Sequence, residues 1–387
     1  MVAPRTPRKV ALVHDFLLDV RGAERVFEEL CALWPEADLF TTVYDEEGTE
    51  GRFAHRTVHT SPLQRLRPTA RSFRALLPLY PWAVEALDLR GYDLVVSSSS
   101  AWAHGVLPDP GATHVCYCHN PFRYAWRMRE TALEGRGPAT RLALSALMHR
   151  WRQWDWLAAQ RVGRYVANSR STRLRIASCF GREADVVHPP VALERFSPGP
   201  RGDFHLVVAA LMRHKRLDVA VEAFTRLGRP LVVVGDGPDA RRLRDLAGPT
   251  IRFAGRVGDA EVAALLAGCR ALVVPGHEEF GIAAVEAQAA GRPVLALRGS
   301  GLAETVVEGV TGAFFDRPDP AALAALVEAF DDEAVDPAAC VASASRFGRD
   351  AFAVGLRRCV DAALGAAPAA RPPARPRRRG AHREPAR

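Results

Sequence analysis

A chain of 387 residues, 48% hydrophobic and 25% charged, is long enough for two domains of about 100–200 residues and has the composition of a soluble protein. The net charge of +8 lies mostly near the two ends, so the body is close to neutral and nucleic-acid binding is not expected. No apolar run reaches the roughly 18 residues of a membrane-spanning helix, and no export signal is recognised, so we expect a cytoplasmic protein.

The cysteines and the tail carry no clear chemistry of their own. Seven scattered cysteines, an odd number, argue against a disulfide framework. Cys116 and Cys118 alternate along a probable strand and are expected to be buried thiols rather than zinc ligands. Residues 1–8 and 366–387 are predicted to be disordered, and the tail carries seven arginines against one glutamate. Such a tail can contact anionic lipid headgroups at the inner face of the cell membrane, or it can reflect only an arginine- and alanine-rich coding bias.

The first half of the chain alternates short apolar strands with helices. A strand over residues 10–16 is followed by a loop and then by an amphipathic helix over residues 23–33. Gly22 and Ala23 stand where this first turn approaches a ligand, but the turn lacks the Gly-x-Gly-x-x-Gly pattern of dinucleotide-binding sites. Further strands are predicted at residues 38–44, 93–98, 113–119, 164–168 and 185–188. The alternation predicts a parallel α/β domain over residues 9–197.

One helix within residues 122–166 is rich in arginine and tryptophan. It includes Trp151, Trp154 and Trp156. An amphipathic helix of this composition can lie on a membrane surface. Alternatively, its tryptophans pack in the core while its arginines face solvent, and the sequence leaves both interpretations open.

A second α/β domain is predicted over residues 204–345. The prolines and glycines of residues 198–203 predict a linker before it. Strands are predicted at residues 205–211, 230–235, 250–255, 271–274 and 293–297, with helices at 217–227, 240–246 and 259–267. A final helix, residues 346–365, is expected to cross back to the first domain. Two such domains form a cleft between facing strand ends, a common place for a ligand.

The segment from Gly276 to Ala290 has the clearest chemical pattern. It predicts a helix start at Phe280-Gly281-Ile282 directly after a buried strand, where free backbone N–H groups bind phosphate. Glu278 and Glu286 flank this start, and carboxylates accept hydrogen bonds from sugar hydroxyls.

Three cations lie in the turn after the second domain's first strand. Arg213, Lys215 and Arg216 stand at the start of a helix, where positive charge opposes the helix dipole. An anionic ligand explains them, although a solvated run of charges would also do so. A phosphate-binding helix start, a lysine and two carboxylates together predict a nucleotide sugar as the ligand.

Glu278-Glu-Phe-Gly-Ile-Ala-Ala-Val-Glu286 resembles the glutamate-seven-glutamate signature of retaining family 4 glycosyltransferases. Similar stretches extend over about residues 9–360 and include Val115-Cys-Tyr-Cys-His-Asn-Pro-Phe-Arg-Tyr-Ala-Trp and Val234-Gly-Asp-Gly-Pro. They are most similar to a mannosyltransferase-like branch that makes O-antigen and exopolysaccharide. The resemblance implies the GT-B fold, in which two Rossmann-like doubly wound domains face each other across a cleft.

The resemblance also implies roles for individual residues. Glu278, His119 and Lys215 form the catalytic set, with Glu278 and His119 at the transferred sugar and Lys215 at the diphosphate. It also implies Glu286 at the ribose. The residue pattern itself adds a donor-binding set of Arg213, Lys215, Phe280, Gly281 and Ile282, and an acceptor-side loop at Gly22 and Ala23. The implied partners are GDP-mannose as donor and a saccharide or lipid-linked acceptor. No Asp-x-Asp occurs, so neither a metal nor another cofactor is expected.

Two positions depart from the family pattern. Ala210 stands where relatives carry a phosphate-binding arginine, and Arg213 is the candidate replacement. Glu279 stands where glycine is common and adds negative charge beside the phosphates. The alternatives are a GT-B sugar-nucleotide epimerase, a phosphorylase, or a non-catalytic nucleotide-sugar-binding assembly protein. A phosphorylase would need a pyridoxal-phosphate lysine in a context that is not seen here. A nicotinamide dehydrogenase is disfavoured because no glycine fingerprint follows a strand.

Overall fold

The computed structural model describes residue 7 and residues 9–70, 72–299 and 301–366. Apart from residues 7 and 366, the predictions of a disordered start and a disordered tail concern residues outside this description. Two parallel sheets, each flanked by helices, make up the fold. The predicted α/β class with two doubly wound domains is thereby confirmed.

The first domain contains a seven-stranded sheet in the order β3-β2-β1-β4-β5-β6-β7. All of its pairings are parallel. Its strands are β1 (Val10–His14), β2 (Asp38–Thr41), β3 (Val58–Thr60), β4 (Leu94–Ser99), β5 (Thr113–Cys118), β6 (Arg164–Ala167) and β7 (Ala184–Val186). Its helices are α1 (Gly22–Leu33), α2 (Tyr80–Glu85), α3 (Arg123–Trp126), α4 (Arg129–Leu133), α5 (Pro138–Arg161) and α6 (Arg170–Phe180). The sequence did not predict β3, because this short edge strand is only partly buried and has no apolar run.

The second domain contains a six-stranded parallel sheet in the order β10-β9-β8-β11-β12-β13. Its strands are β8 (His205–Val208), β9 (Leu231–Val234), β10 (Ile251–Gly255), β11 (Leu272–Val274), β12 (Val294–Leu297) and β13 (Gly312–Phe315). Its helices are α7 (Leu217–Leu227), α8 (Ala240–Leu246), α9 (Asp259–Gly268), α10 (Ile282–Ala289), α11 (Leu302–Thr305), α12 (Pro320–Ala329) and α13 (Pro337–Ala344). Strand order reverses beside β1 and beside β8, and ligands bind at such switch points.

The chain enters the second domain earlier than the sequence predicted. Val191 and Phe196 already lie in the core of the second domain. The predicted linker, residues 198–203, instead lies against this domain, where the Gly202 amide donates to the Gly268 carbonyl at 2.7 Å. Proline and glycine mark a break in regular structure, but here the irregular backbone is held by packing and does not connect the domains.

The last helix, α14 (Arg349–Ala366), returns to the first domain. Its residues Phe352, Leu356 and Val360 pack in the same core as Tyr117 of β5 and Val187. Burial of this apolar face stabilises the crossover, since each fully buried large side chain contributes about 1.5–3 kcal/mol. A continuous core therefore ties the end of the second domain to the first sheet.

Helix α5 uses its tryptophans mainly for packing. Trp151 is buried, and Trp154 lies 5.5 Å from Trp102 between ring centres, whereas Trp156 is 46% exposed. A buried His104–Asp155 contact of 2.8 Å also holds the helix to the domain. Among the described helices, none is long and apolar enough to cross a membrane. All seven cysteines are free thiols, and Cys116 and Cys118 are buried as predicted, whereas Cys179 is partly buried.

Candidate active site

The loops after β5 and β11 meet across the cleft between the domains. Arg123, just after β5, places Nη1 3.0 Å from Nε2 of His214 in the second domain. Arg175 of α6 places Nη1 3.4 Å from Oε1 of Glu279. The carboxyl ends of the two sheets therefore lie close enough to form one site.

Lys215 and Glu278 form an ion pair at the centre of this region. Lys215 Nζ lies 2.5 Å from Glu278 Oε2, and each side chain is less than one-fifth exposed. Gly276 lies directly against the lysine, since a Cβ added there would be 2.3 Å from the Lys215 carbonyl oxygen. Only glycine allows the β11–α10 turn to approach so closely, so this turn sets the position of Lys215.

Helix α10 follows a glycine in the left-handed conformation, and no side chain satisfies its first amides. This glycine is Gly281, with φ of 91°. The Phe280 side chain is buried and stacks on His188 with ring centres 5.3 Å apart, so only its backbone can reach a ligand. A Cβ on Gly22 would lie 3.3 Å from Cδ1 of Ile282. The predicted acceptor-side loop, which includes the partly buried Ala23, thus touches the predicted donor helix.

Glu286 lies one helical turn beyond Ile282 and is partly buried. Its carboxylate makes no hydrogen bond or ion pair within the described part of the chain. Burial raises the pKa of Glu286, while Arg195 and Arg25 oppose that rise. A partly buried carboxylate whose oxygens have no partner among these residues remains free to accept hydrogen bonds from a ligand.

His119 belongs to a chain of polar contacts that runs into the first domain. Its Nε2 lies 2.9 Å from Ser98 Oγ, which lies 3.1 Å from Nδ1 of His14. His14 Nε2 in turn lies 3.5 Å from Glu24 Oε1. Burial, with the neighbouring His14, lowers the pKa of His119 to about 3, although Glu279 opposes the shift. The imidazole is therefore neutral near pH 7.

Glu279 is paired with two arginines that the sequence did not single out. Its Oε1 lies 3.4 Å from Arg175 Nη1 and 3.5 Å from Arg123 Nη2. Burial alone would raise the pKa of Glu279, but Arg123, Lys215 and Arg175 outweigh it and hold this pKa below its usual value. Arg123 falls within the motif quoted above, whereas no motif marked Arg175.

Arg213 lies away from the central ion pair. Its side chain is 62% exposed, with Nη1 3.6 Å from Glu134 and Nε 3.9 Å from Asp239. Its side chain makes no hydrogen bond or ion pair with Lys215 or Glu278 within the described residues. The structure therefore offers no contact in support of Arg213 as the replacement for the arginine missing at Ala210.

The arrangement combines groups for an anion with groups for hydroxyls. Lys215, Arg123 and Arg175 bring three cations to the turn that leads into the uncapped start of α10. Such donors stabilise phosphate charge. Glu278 and Glu286 can accept hydrogen bonds from hydroxyl groups. Across the described ranges, no group of three or more His, Cys, Asp or Glu side chains is placed to hold a metal ion.

Two family descriptions match adjoining parts of the chain. Glycosyltransferase Family 4 matches residues 20–195, and Glycosyl transferases group 1 matches residues 195–346. The GDP-mannose-dependent alpha-(1-6)-phosphatidylinositol monomannoside mannosyltransferase of Mycolicibacterium smegmatis is 32% identical over 209 residues, covering 44% of this chain and 52% of that protein. The chain spans about half the length of the curated relatives it matches, or less.

Solved structures show the same two-domain architecture. Sucrose-phosphate synthase from Thermosynechococcus elongatus has a TM-score of 0.69 at 17% identity, covering 93% of this chain and 100% of that one. The Anabaena protein HepE in complex with UDP has a TM-score of 0.67 at 15% identity, covering 92% and 100%. At such identities the likeness shows the fold alone, and that fold is the GT-B arrangement expected from the sequence. With two adjoining family matches on this fold, the chain belongs to the superfamily of GT-B glycosyltransferases that comprises group 1 and family 4.

Proposed function

We propose that this protein is a retaining glycosyltransferase that moves a hexose from a nucleotide sugar to a saccharide acceptor. The observation that carries the proposal is the unpartnered carboxylate of Glu286, which lies one turn beyond the uncapped start of α10. A carboxylate in this position can accept hydrogen bonds from both hydroxyls of a ribose while the helix start binds the attached diphosphate. An epimerase or a non-catalytic binding protein would share this donor site but would not transfer sugar to an acceptor.

In the proposed reaction, the bond between the sugar's anomeric carbon and the diphosphate breaks as an acceptor hydroxyl bonds to the same face. Lys215 and the first amides of α10 stabilise the negative charge that develops on the leaving diphosphate. Preorganised donors of this kind supply a large part of catalysis. The departing phosphate takes the acceptor proton, so no metal and no covalent sugar–enzyme intermediate is required. Glu278 and neutral His119 hold the sugar from opposite sides of the cleft.

For the donor we propose GDP-mannose, and for the acceptor a lipid-linked or oligosaccharide chain used in cell-surface polysaccharide. The GDP-mannose-dependent relative from Mycolicibacterium smegmatis supports this donor. The structural neighbour that binds UDP supports a UDP-sugar as the alternative. We place the reaction in the cytoplasm at the inner face of the cell membrane, where a lipid-linked acceptor would be reached.

A thermal-shift panel of GDP-, UDP- and ADP-sugars tests the donor. A ligand at 100 times its Kd stabilises the native state by about 2.7 kcal/mol, so the correct donor gives the largest rise in Tm. We expect that rise with GDP-mannose. Stabilisation by UDP-sugars only would contradict the mannose proposal, and no stabilisation by any nucleotide sugar would contradict the whole assignment.

Two substitutions test the site itself. Lys215→Ala is expected to lower kcat by about 10²–10³-fold, the usual loss for one preorganised donor. Glu286→Gln is expected to weaken donor binding about tenfold, because it replaces the charged acceptor for the ribose hydroxyls. Arg226→Ala is the matched control, since Arg226 is an exposed cation on α7 whose pair with Glu222 spans 4.0 Å. Wild-type transfer rates in both test variants would rule out this site.

A further inference from the structure

The second domain provides little free positive charge for a diphosphate at the start of α10. Ala210 carries no charge, and Arg213 is exposed and turned toward Glu134 and Asp239. Lys215 is already paired with Glu278 at 2.5 Å. A diphosphate bound here would therefore meet one cation of the second domain, Lys215, and Lys215 is already paired with Glu278.

The first domain provides two further cations at the same place. Arg123 and Arg175 both contact Oε1 of Glu279, the residue next to Glu278. Arg123 also contacts His214, the residue before Lys215. Arg123 thus reaches across the cleft to both segments that carry the Lys215–Glu278 pair, and Arg175 reaches the segment that carries Glu278.

Arg175 is not fully satisfied by these contacts. Its side chain is 14% exposed, and only Nη1 has partners, namely Oδ1 of Asn120 at 2.8 Å and Glu279. Its Nε is buried with no hydrogen-bond partner, and Nη2 has none among the described residues. A largely buried guanidinium with unused donors is stabilised when water or a ligand completes its bonding, so Arg175 is available to bind an anion.

His214 helps to hold Arg123 in position. Burial, together with Arg123 and Lys215, lowers the pKa of His214 to about 4, so its ring is neutral near pH 7. A neutral imidazole nitrogen can accept the hydrogen bond that Arg123 Nη1 donates at 3.0 Å. Arg123 is thereby oriented before any ligand arrives, with its Nη2 directed at Glu279.

We propose that Arg123 and Arg175 bind the donor's diphosphate from the opposite wall of the cleft, in place of the arginine that is absent at Ala210. The inference rests on the proposed function, since the ligand is taken to be a nucleoside diphosphate or its sugar ester. The planar guanidinium can give two parallel hydrogen bonds to a phosphate. Glu279 holds both arginines in position in the empty site, and a phosphate oxygen replaces it when the donor binds.

This arrangement explains why a carboxylate can stand at position 279. A glycine there would add no negative charge beside the phosphates, but it would leave the two arginines without this shared partner. Without a carboxylate, two guanidinium groups close together would repel each other in a partly buried site. With it, the site remains nearly balanced when empty. Donor binding then joins the two domains directly, because one diphosphate is held from both walls.

Calorimetric titration of the full chain tests the inference with GDP, UDP and their monophosphates. For the diphosphate that wild type binds, Arg175→Gln and Arg123→Gln are each expected to raise Kd about tenfold, or about 1.4 kcal/mol. The Kd of the monophosphate should rise less than about threefold, since it offers fewer phosphate oxygens to bind. Glu279→Gln should bind the diphosphate at least as tightly as wild type does.

Arg173→Gln is the matched control, because Arg173 is exposed on the same helix, α6. Arg123 is partly exposed, at 29% of its side chain, so Arg123→Gln keeps the test valid if Arg175→Gln does not fold. If wild type binds a diphosphate and both test variants bind it equally tightly, the inference is wrong and the proposed function stands. An equal loss in Arg173→Gln would also refute it, as a general charge effect. No binding to wild type would contradict both proposals.

Discussion

The two walls of the cleft differ in charge and in how they are assembled. The second-domain wall takes most of its site residues from one continuous stretch, in which Glu278 and Glu279 lie in the turn and Glu286 lies on α10. The first-domain wall is basic and takes its residues from separate elements, including Arg25 of α1, Arg123 of α3 and Arg175 of α6. Arg25 pairs with Asp259 of the opposite wall at 2.7 Å. Opposite charges thus face each other before any ligand is bound.

The contacts between the walls explain why this arrangement holds together. Glu304 of the second domain accepts hydrogen bonds from the backbone amides of Arg170 and Ser171 at the start of α6, the nearest at 2.8 Å. It also lies 3.0 Å from Nε2 of His188, in the segment that connects the domains. A carboxylate at a helix N-terminus is stabilised by the unsatisfied amides there. Ion pairs and hydrogen bonds between the walls therefore hold the two domains together beside the site.

Among the effects that test this comparison of the walls, the largest concerns the turn of the second-domain wall. Gly276→Ala would place a Cβ 2.3 Å from the Lys215 carbonyl oxygen, so the backbone of Lys215 must move. A displacement of about 1 Å in a positioned group can cost about 10²-fold in rate. We therefore expect kcat/KM for sugar transfer to fall about 100-fold, measured with the donor that gives the largest thermal shift.

Gly258→Ala is the control for this substitution. An added Cβ at Gly258 meets nothing within 4 Å. This variant should retain wild-type kcat/KM. Unchanged activity in Gly276→Ala would show that the turn does not position Lys215. The second-domain wall would then not be held in place by its turn, and this difference between the two walls would be wrong.

An intermediate effect concerns the polar chain of the first-domain wall. Ser98→Ala removes the hydroxyl that joins His119 to His14 and leaves both imidazoles in place. Loss of one buried partner costs about 1–3 kcal/mol, and about 1.4 kcal/mol corresponds to tenfold in rate. We expect kcat to fall about tenfold with little change in donor Kd, because the chain orients His119 and does not hold the nucleotide.

Ser98→Thr keeps the hydroxyl and should recover most of the lost rate. Equal loss of kcat in both variants would indicate a packing defect at β4. A large rise in donor Kd without a change in kcat would also contradict the positioning role, since it would place Ser98 in the binding of the nucleotide.

The second-domain wall could be predicted from sequence because its chemistry is local. Glu278, Gly281 and Glu286 occur within nine residues, and a strand, a turn and a helix are readable from their pattern. Lys215 could be assigned to the same site because it lies in the loop after β8, the strand next to β11. Arg213 was selected by the same spacing, but the spacing does not specify the direction of a long exposed side chain.

The first-domain wall could not be predicted in the same way. Arg175 lies on a helix with several other arginines, and Arg170 and Arg173 look the same in sequence. Only the packing of α6 against the sheet decides which arginine faces Glu279. The point at which the chain enters the second domain was missed for a similar reason, because Val191 and Phe196 carry no pattern that assigns them to one core or the other.

The smallest expected effect is on stability and concerns His114, which lies on β5 behind the first-domain wall. Burial, with His104 and Arg161, lowers its pKa from 6.5 to about 3 in the folded state. Below pH 6.5 the unfolded chain binds a proton that the folded chain does not, so stability falls as pH falls toward 3. Between pH 7 and pH 6 this amounts to about 0.7 kcal/mol for one histidine. In urea unfolding, the free energy of unfolding of His114→Gln should therefore fall less between pH 7 and pH 6 than that of wild type, by this amount.

Ser97→Ala separates this proton effect from simple loss of packing. Ser97 Oγ lies 2.9 Å from Nε2 of His114, so the substitution removes a hydrogen bond but keeps the imidazole. It should lower the free energy of unfolding at both pH values and retain the wild-type difference between them. If His114→Gln also retains the full difference, the proton uptake belongs to other groups. His114 would then not be a source of acid sensitivity in the first domain.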